Sequence, residues 1–140
     1  MGDVKNGLGL RREDWDQMRE HVQQALPEEA CGLVGGTKDI SEVVYTVLND
    51  LKSPVRFRMN AHEQVQALLR IEESGLDLLA IYHSHPAGPA HPSQTDLDEF
   101  AYPAVPYLIL HLQDGVWHCH AFSLGMGIFN EIPFAVLEEE

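Results

Sequence analysis

Leu76-Asp77-Leu78-Leu79-Ala80-Ile81-Tyr82-His83-Ser84-His85-Pro86 is the stretch on which the reading of this chain turns. From Leu76 to Tyr82 it is almost unbroken in apolar residues and follows a segment of helical periodicity. That is the pattern of a strand covered on both faces, and it belongs at the centre of a sheet. Two imidazoles then appear two residues apart. Side chains at that spacing on a strand share a face, so His83 and His85 can grip one metal ion; on a helix the same spacing splays them. Pro86 ends strand pairing. The Pro- and Gly-rich run to Pro92 reads as a loop, and Ser93 with Asp96 has the spacing of a helix capping box. The loop lets the chain return, so that Asp96 can supply a third ligand. Two His and one Asp leave the fourth position of a tetrahedral ion open to water, the design of a catalytic zinc site; structural sites close with four protein ligands.

Outward from this segment, strands and helices intermix without a strict alternation. Trp15, Met18, Val22 and Leu26 recur at helical spacing behind acidic Glu13 and Asp14, and Pro27 stops the pattern. Residues 30–36 and 42–48 are short apolar, β-branched runs that predict a hairpin. Residues 56–59 predict a short edge strand. Asn60 and Glu63 form a second capping pattern, opening a helix that runs past Leu68 to a stop at Gly75. A short helix is expected from Ser93 toward Phe100, then a hairpin from residues 106–112 through Asp114-Gly115 to 116–123, and a last strand within 132–137. The expected class is α+β, with a curved mixed sheet between helices (α/β/α), in one domain over residues 1–140.

Composition narrows the function. At 140 residues the chain has the size of one domain, and no apolar run approaches the roughly 20 residues that cross a bilayer. The N-terminus has no long apolar core, so it is not read as a secretory signal and a cytoplasmic setting is expected. Nine basic against 22 acidic residues give a formal charge of −13, which repels nucleic-acid phosphates. Two cysteines, Cys31 and Cys119, make no disulfide framework and are read as buried thiols.

An open metal site needs a base to manage the proton of its water. Glu28 and Glu29 both stand at the mouth of an apolar strand, and spacing does not choose between them. His118 and His120 form a second His-x-His around Cys119, but no carboxylate follows at useful spacing, so they are read as a half-exposed strand face. His62 and His91 are expected at the surface, Trp15 and Trp117 in the core.

The stretch Glu29-Ala30-Cys31-Gly32-Leu33-Val34-Gly35-Gly36, followed by His83-Ser84-His85-Pro86 and Pro92-Ser93-Gln94-Thr95-Asp96, resembles the signature of the JAB1/MPN/Mov34 (JAMM) metallopeptidases. Tyr82 and Ala90 fit that signature too, and the order of elements matches over most of the chain. The resemblance implies a sheet like that of the cytidine deaminases. It does not imply their chemistry, because their His-x-Glu and Pro-Cys-x-x-Cys ligand sets are missing here. It implies one Zn2+ held by His83, His85 and Asp96, Glu29 holding and deprotonating the attacking water, and Ser93 donating to the oxyanion. It further implies cleavage of peptide or isopeptide bonds after the C-terminal glycine of a ubiquitin-like or sulfur-carrier β-grasp protein.

The chain has no spare length for the insertions with which eukaryotic deubiquitinating members grip two ubiquitins, so a compact prokaryotic type is expected. Release of cysteine or another small adduct from a sulfur-carrier tail is an alternative reaction, and a non-catalytic MPN-type scaffold an alternative role. A homodimer is left open.

Overall fold

Short apolar runs, bounded by glycine, proline and polar residues, assemble into one eight-stranded mixed sheet. The computed structural model describes residues 7–99, 102, 104–125 and 127–138. In chain order the elements are β1 (Leu8–Arg11), α1 (Arg12–Ala25), β2 (Cys31–Thr37), β3 (Ile40–Val47), α2 (Ala61–Glu73), β4 (Asp77–His85), α3 (Gln94–Glu99), β5 (Tyr107–Gln113), β6 (Val116–Gly125), β7 (Ile128–Ile132) and β8 (Phe134–Leu137). The strand order is β7-β6-β5-β4-β2-β3-β1-β8, so β4 lies at the centre, as its apolar run predicts. β4 runs parallel to β5 and antiparallel to β2.

Each face of the sheet has its own core. On one, α1 packs Trp15, Met18 and Val22 onto Val34, Tyr82, Leu108 and Leu110. On the other, Ala67 and Ile71 of α2 cover Leu33, Ile81 and Ile109. Trp15 and Trp117 are both buried, as expected, and Trp117 Nε1 donates to Gln23 Oε1 on α1 at 2.8 Å. The helices thus sandwich the sheet, the α/β/α arrangement predicted from the element pattern.

Gly32 shows why the small residue is needed. A Cβ there would run into the ring of Tyr82 and the backbone oxygen of Tyr45. With only hydrogen in the way, the Tyr82 ring crosses β2 and its hydroxyl meets His21 Nδ1 on α1 at 2.6 Å.

Several expectations need correction. Residues 56–59 form no strand; Met59 makes only an isolated bridge with Asn49, because the polar side chain of Asn49 takes the backbone groups that a ladder would use. The strand expected within 132–137 is β8; β7, before Pro133, which cannot donate to a ladder, was not foreseen. β1, too short to show a period, was not expected; it runs parallel to both β8 and β3. The capping box of α2 is half formed: Asn60 Oδ1 accepts from Glu63 N at 3.0 Å, while Glu63 Oε1 accepts from Leu48 N at 2.7 Å. The expected end of the short third helix, Phe100, lies outside the described residues.

α1 is tied to the sheet through Asp14, which is 3% exposed. Its Oδ2 accepts from Ser41 Oγ at 2.6 Å and from Arg11 Nε at 3.0 Å, and Ser41 Oγ in turn accepts from Arg11 N at 2.8 Å. Removing the carboxylate strands a buried hydroxyl and part of a guanidinium. Asp14→Ala is therefore expected to lower unfolding free energy by about 2–3 kcal/mol, read as a shift of the urea midpoint at unchanged slope; a shift within error would show that the network contributes nothing.

Candidate metal centre

β2 begins where β4 ends, and that antiparallel pairing builds the site. Cys31 lies opposite His83, and Ser84 N donates to Ala30 O at 2.9 Å while Ala30 N donates to Ser84 Oγ at 2.8 Å. Continued outward, the register sets Glu29 abreast of His85. Because side chains alternate, Glu29, Cys31, His83 and His85 share the face that α2 covers. Glu28, one residue earlier, has the opposite parity and is only half-buried, whereas Glu29 is 4% exposed. An oxygen of Glu29 and ring nitrogens of His83 and His85 all lie within 4.8 Å of one another.

Asp96 arrives from the other side. After the loop, Ser93 caps α3: Asp96 N donates to Ser93 Oγ at 3.1 Å and Ser93 N donates to Asp96 Oδ2 at 2.8 Å. The same Oδ2 lies 3.2 Å from His83 Nε2 and 3.1 Å from His85 Nε2, and those two nitrogens are 3.0 Å apart. A tetrahedral ion bound at about 2.0 Å spaces its ligand atoms about 3.3 Å apart. The triangle is therefore within a few tenths of an ångström of the shape that such an ion imposes, and the donor set of two imidazoles and a carboxylate fits a metal ion.

The surroundings prepare these groups. His85 Nδ1 donates to the Pro89 carbonyl at 2.8 Å, which turns Nε2 toward the cluster; in the neutral ring that nitrogen is the lone pair, the usual way a fold selects the ligating tautomer. The His83 ring stacks on Phe57 at 4.4 Å between centroids. Burial lowers the His83 pKa, favouring the neutral form that ligates. Burial acts on His85 in the same direction, but its bonds to Asp96 and Pro89 win and raise it. Burial also pushes the Asp96 carboxyl up; hydrogen bonds from both imidazoles and Ser93 N overcome this and hold it well below the usual carboxylate range. Burial raises Glu29 to about 8, opposed by His85 and assisted by Asp96. Its Oε1 is buried without a hydrogen-bond partner, as is His83 Nδ1. An uncompensated acid oxygen beside a cluster of ligands is where a cation's charge, or the water it holds, completes the balance.

Three contributors escaped the sequence reading. Asn49, 6% exposed, donates through Nδ2 to Glu29 O at 3.0 Å and Arg56 O at 3.1 Å, and accepts through Oδ1 from Leu51 N and Arg58 N, both at 3.0 Å. Ser84, between the two ligands, faces away from them and pins the start of β2. Phe57 backs His83. An Asn at a strand end is a known turn former, but its partners are set by the fold. Ser93 is where the capping pattern puts it, half-buried beside Asp96. Beside the cluster a groove of about 320 Å³ is lined by Phe57, Met59, Ile81 and Tyr102, with Arg56 and Arg58 also on its wall.

Of the remaining candidates, Cys31 is buried and its thiol is pushed up to about 12 by burial first and the nearby Glu29 charge next, so it is no nucleophile. Cys119 is also a free thiol but only half-buried, contrary to the expectation of two buried thiols, because it lies on β6, next to the edge strand β7. His62 and His91 are exposed, as expected. No helix among the described residues is long and apolar enough to cross a membrane.

Comparison with known proteins shows the family. A 37% identical relative from Thermus thermophilus, a probable TtuB-protein conjugate cleaving protease, aligns over 87% of this chain and 78% of its own length. A desampylase of Haloferax volcanii is 32% identical over 92% of this chain and 96% of its own, and a CysO-cysteine peptidase of Mycobacterium bovis 29% identical over 94% and 92%. A solution structure from Desulfitobacterium hafniense superposes with a TM-score of 0.84 at 35% identity, covering 94% of both chains. The fold is also that of a JAB1/MPN domain protein from Archaeoglobus fulgidus, with a TM-score of 0.58 at 20% identity over 94% of this chain and 98% of that one. The family model for prokaryotic homologs of the JAB domain, Prok-JAB, matches residues 11–124, a span that holds all four residues of the cluster. The chain therefore belongs to the prokaryotic JAB-domain family and is a compact hydrolytic enzyme of the JAMM type.

Proposed function

We propose that this enzyme is a zinc-dependent peptidase or isopeptidase that hydrolyses the bond after the C-terminal glycine of a ubiquitin-like or sulfur-carrier β-grasp protein. The observation that carries this reading is the triangle of His83 Nε2, His85 Nε2 and Asp96 Oδ2, 3.0 to 3.2 Å on a side, with the unpartnered acid of Glu29 next to it. Three protein ligands with one open corner suit zinc hydrolysis. The activities named for the Thermus, Haloferax and Mycobacterium relatives support a conjugate or adduct as substrate.

His83, His85 and Asp96 hold the ion, which when bound polarises the scissile carbonyl and acidifies water. Glu29 takes the proton of the attacking water at its buried carboxylate and delivers it to the departing amine. The Ser93 hydroxyl oxygen accepts from Asp96 N; its own hydrogen remains for the developing oxyanion. The groove lined by Phe57, Met59 and Ile81 takes an extended tail, whose glycines pass where larger side chains collide. The setting is cytoplasmic, the functional unit is the single domain 1–140, and the charge of −13 disfavours nucleic acid.

A second reading, release of cysteine or another small adduct from a carrier tail, has its own support. Arg58 lines the groove in a chain with few cations, placed to meet the α-carboxylate of an amino-acid adduct, while Arg56 beside it is held by Glu99 at 2.9 Å, and the Mycobacterium relative is a cysteine peptidase by name. A carrier–cysteine adduct and a carrier–protein fusion, incubated side by side, separate the two readings. The first expects cleavage of the fusion, abolished by a chelator and restored by zinc. Cleavage of neither substrate by zinc-loaded enzyme would refute both.

The roles divide under substitution. Glu29→Gln should keep zinc while losing about 10²- to 10⁴-fold in turnover; a fully active variant moves the base elsewhere. Ser93→Ala should cost about 10²- to 10³-fold in turnover with metal retained. His85→Ala should lose bound zinc in metal analysis, and equal zinc in variant and parent removes His85 from the ligand set.

A further inference from the structure

β6 carries the other His-x-His, and the fold surrounds it with partners far away in sequence. His118 and His120 point to one face of the strand. The register with β5 sets His111 opposite His118. The His111 ring lies 5.3 Å from that of His118 and 5.4 Å from that of His120, at interplanar angles of 22° and 15°. The carboxylate that the sequence does not offer nearby comes from β7: Glu131 Oε2 lies 2.9 Å from His120 Nδ1. With Nδ1–H committed to Glu131, His120 presents Nε2 as a free lone pair, the carboxylate–histidine arrangement that orients metal ligands elsewhere.

His111 supplies the independent sign of a missing ligand. It is 8% exposed, and its Nε2 is buried with no hydrogen-bond partner. Buried polar nitrogens are almost always satisfied, so an orphan among two further imidazoles calls for an occupant. Two imidazoles on one tetrahedral ion have ring centroids about 5 Å apart, close to both separations seen here. The nitrogens of these three rings do not all lie within 4.8 Å of one another, as donor atoms of Glu29, His83 and His85 do. Gathering them on one ion requires His111 and His118 to turn about χ2, a soft torsion in histidine, while Glu131 keeps His120 in place.

We infer that His111, His118 and His120 form a second metal site, with Glu131 as the residue that positions His120. Imidazole ligands select a late first-row divalent ion such as zinc or nickel. The site is separate from the catalytic cluster, although β4 and β5 place His85 directly opposite His111, so the two ions would occupy neighbouring strands of one sheet face.

The test counts ions. Metal-free protein is dialysed against buffered zinc, and bound zinc is measured by elemental analysis. The parent should hold two equivalents and His118→Ala/His120→Ala one, with circular dichroism verifying that the variant is folded. His118 is exposed and His120 half-exposed, so the fold does not depend on either. Glu131→Gln should keep both equivalents at saturation but weaken the second about 10- to 100-fold in a zinc titration. A difference between the parent and the double variant of anything other than one equivalent overturns the proposal. If the double variant does not fold, His118→Asn with Glu131→Gln serves instead, and loss of the second equivalent carries the same meaning. Because the counts are read per site, loss of the first equivalent in His85→Ala leaves this result independent of the hydrolase reading.

Discussion

Antiparallel pairing between β2 and β4 is the constraint on which the remainder rests. It alone decides that the residue two before Cys31 stands beside the residue two after His83. A one-residue slip would turn Glu29 to the α1 side and put Glu28 in its place. The slip is blocked locally. The reciprocal bonds of Ala30 and Ser84 fix the end of the ladder, and the Tyr82 ring fits only over a glycine at position 32. Register here is set by packing and hydrogen bonds outside the metal centre, and the centre inherits it.

That inheritance has an electrostatic side. A carboxylate, two imidazoles and an acid are gathered where water is largely excluded, and each resists being charged there. Asp96 escapes the penalty because three donors converge on it. Glu29 does not, and its proton is held tightly. A divalent ion reverses the balance for both acids at once. The pocket is thus poised for a cation by the same burial that makes it unfavourable for an anion.

What could be read in advance followed from local periodicity. The His-x-His spacing, the apolar run before it and the Ser93–Asp96 cap are contained in short windows, and each kept its meaning in three dimensions. The choice between Glu28 and Glu29 had no local signal, because it depends on pairing between segments some fifty residues apart; the family resemblance favours Glu29, and the register puts that residue beside the imidazoles. β1 and β8 are four residues each and pair in parallel across the whole chain, beyond the reach of any periodicity. The apolar and cationic alternation of residues 56–59 imitates an edge strand, but Arg56 O and Arg58 N bond to the side chain of Asn49, which leaves a single bridge in place of a ladder. Glu131, which pairs with Phe122 and lies diagonally across from His120, was missed for the same reason: a carboxylate eleven positions away becomes adjacent only once β6 and β7 pair.

Asn49 links two tasks that enzymes often keep apart. One amide holds the backbone of Glu29 and also the backbone of Arg56 and Arg58, which help to wall the groove. Reshaping that wall to admit a different tail therefore disturbs the seat of Glu29. Changes of preference in this scaffold come more cheaply from the tips of side chains such as Arg58 than from insertions or deletions in the loop, and descendants of such an enzyme would diversify by repainting the groove while leaving its frame alone.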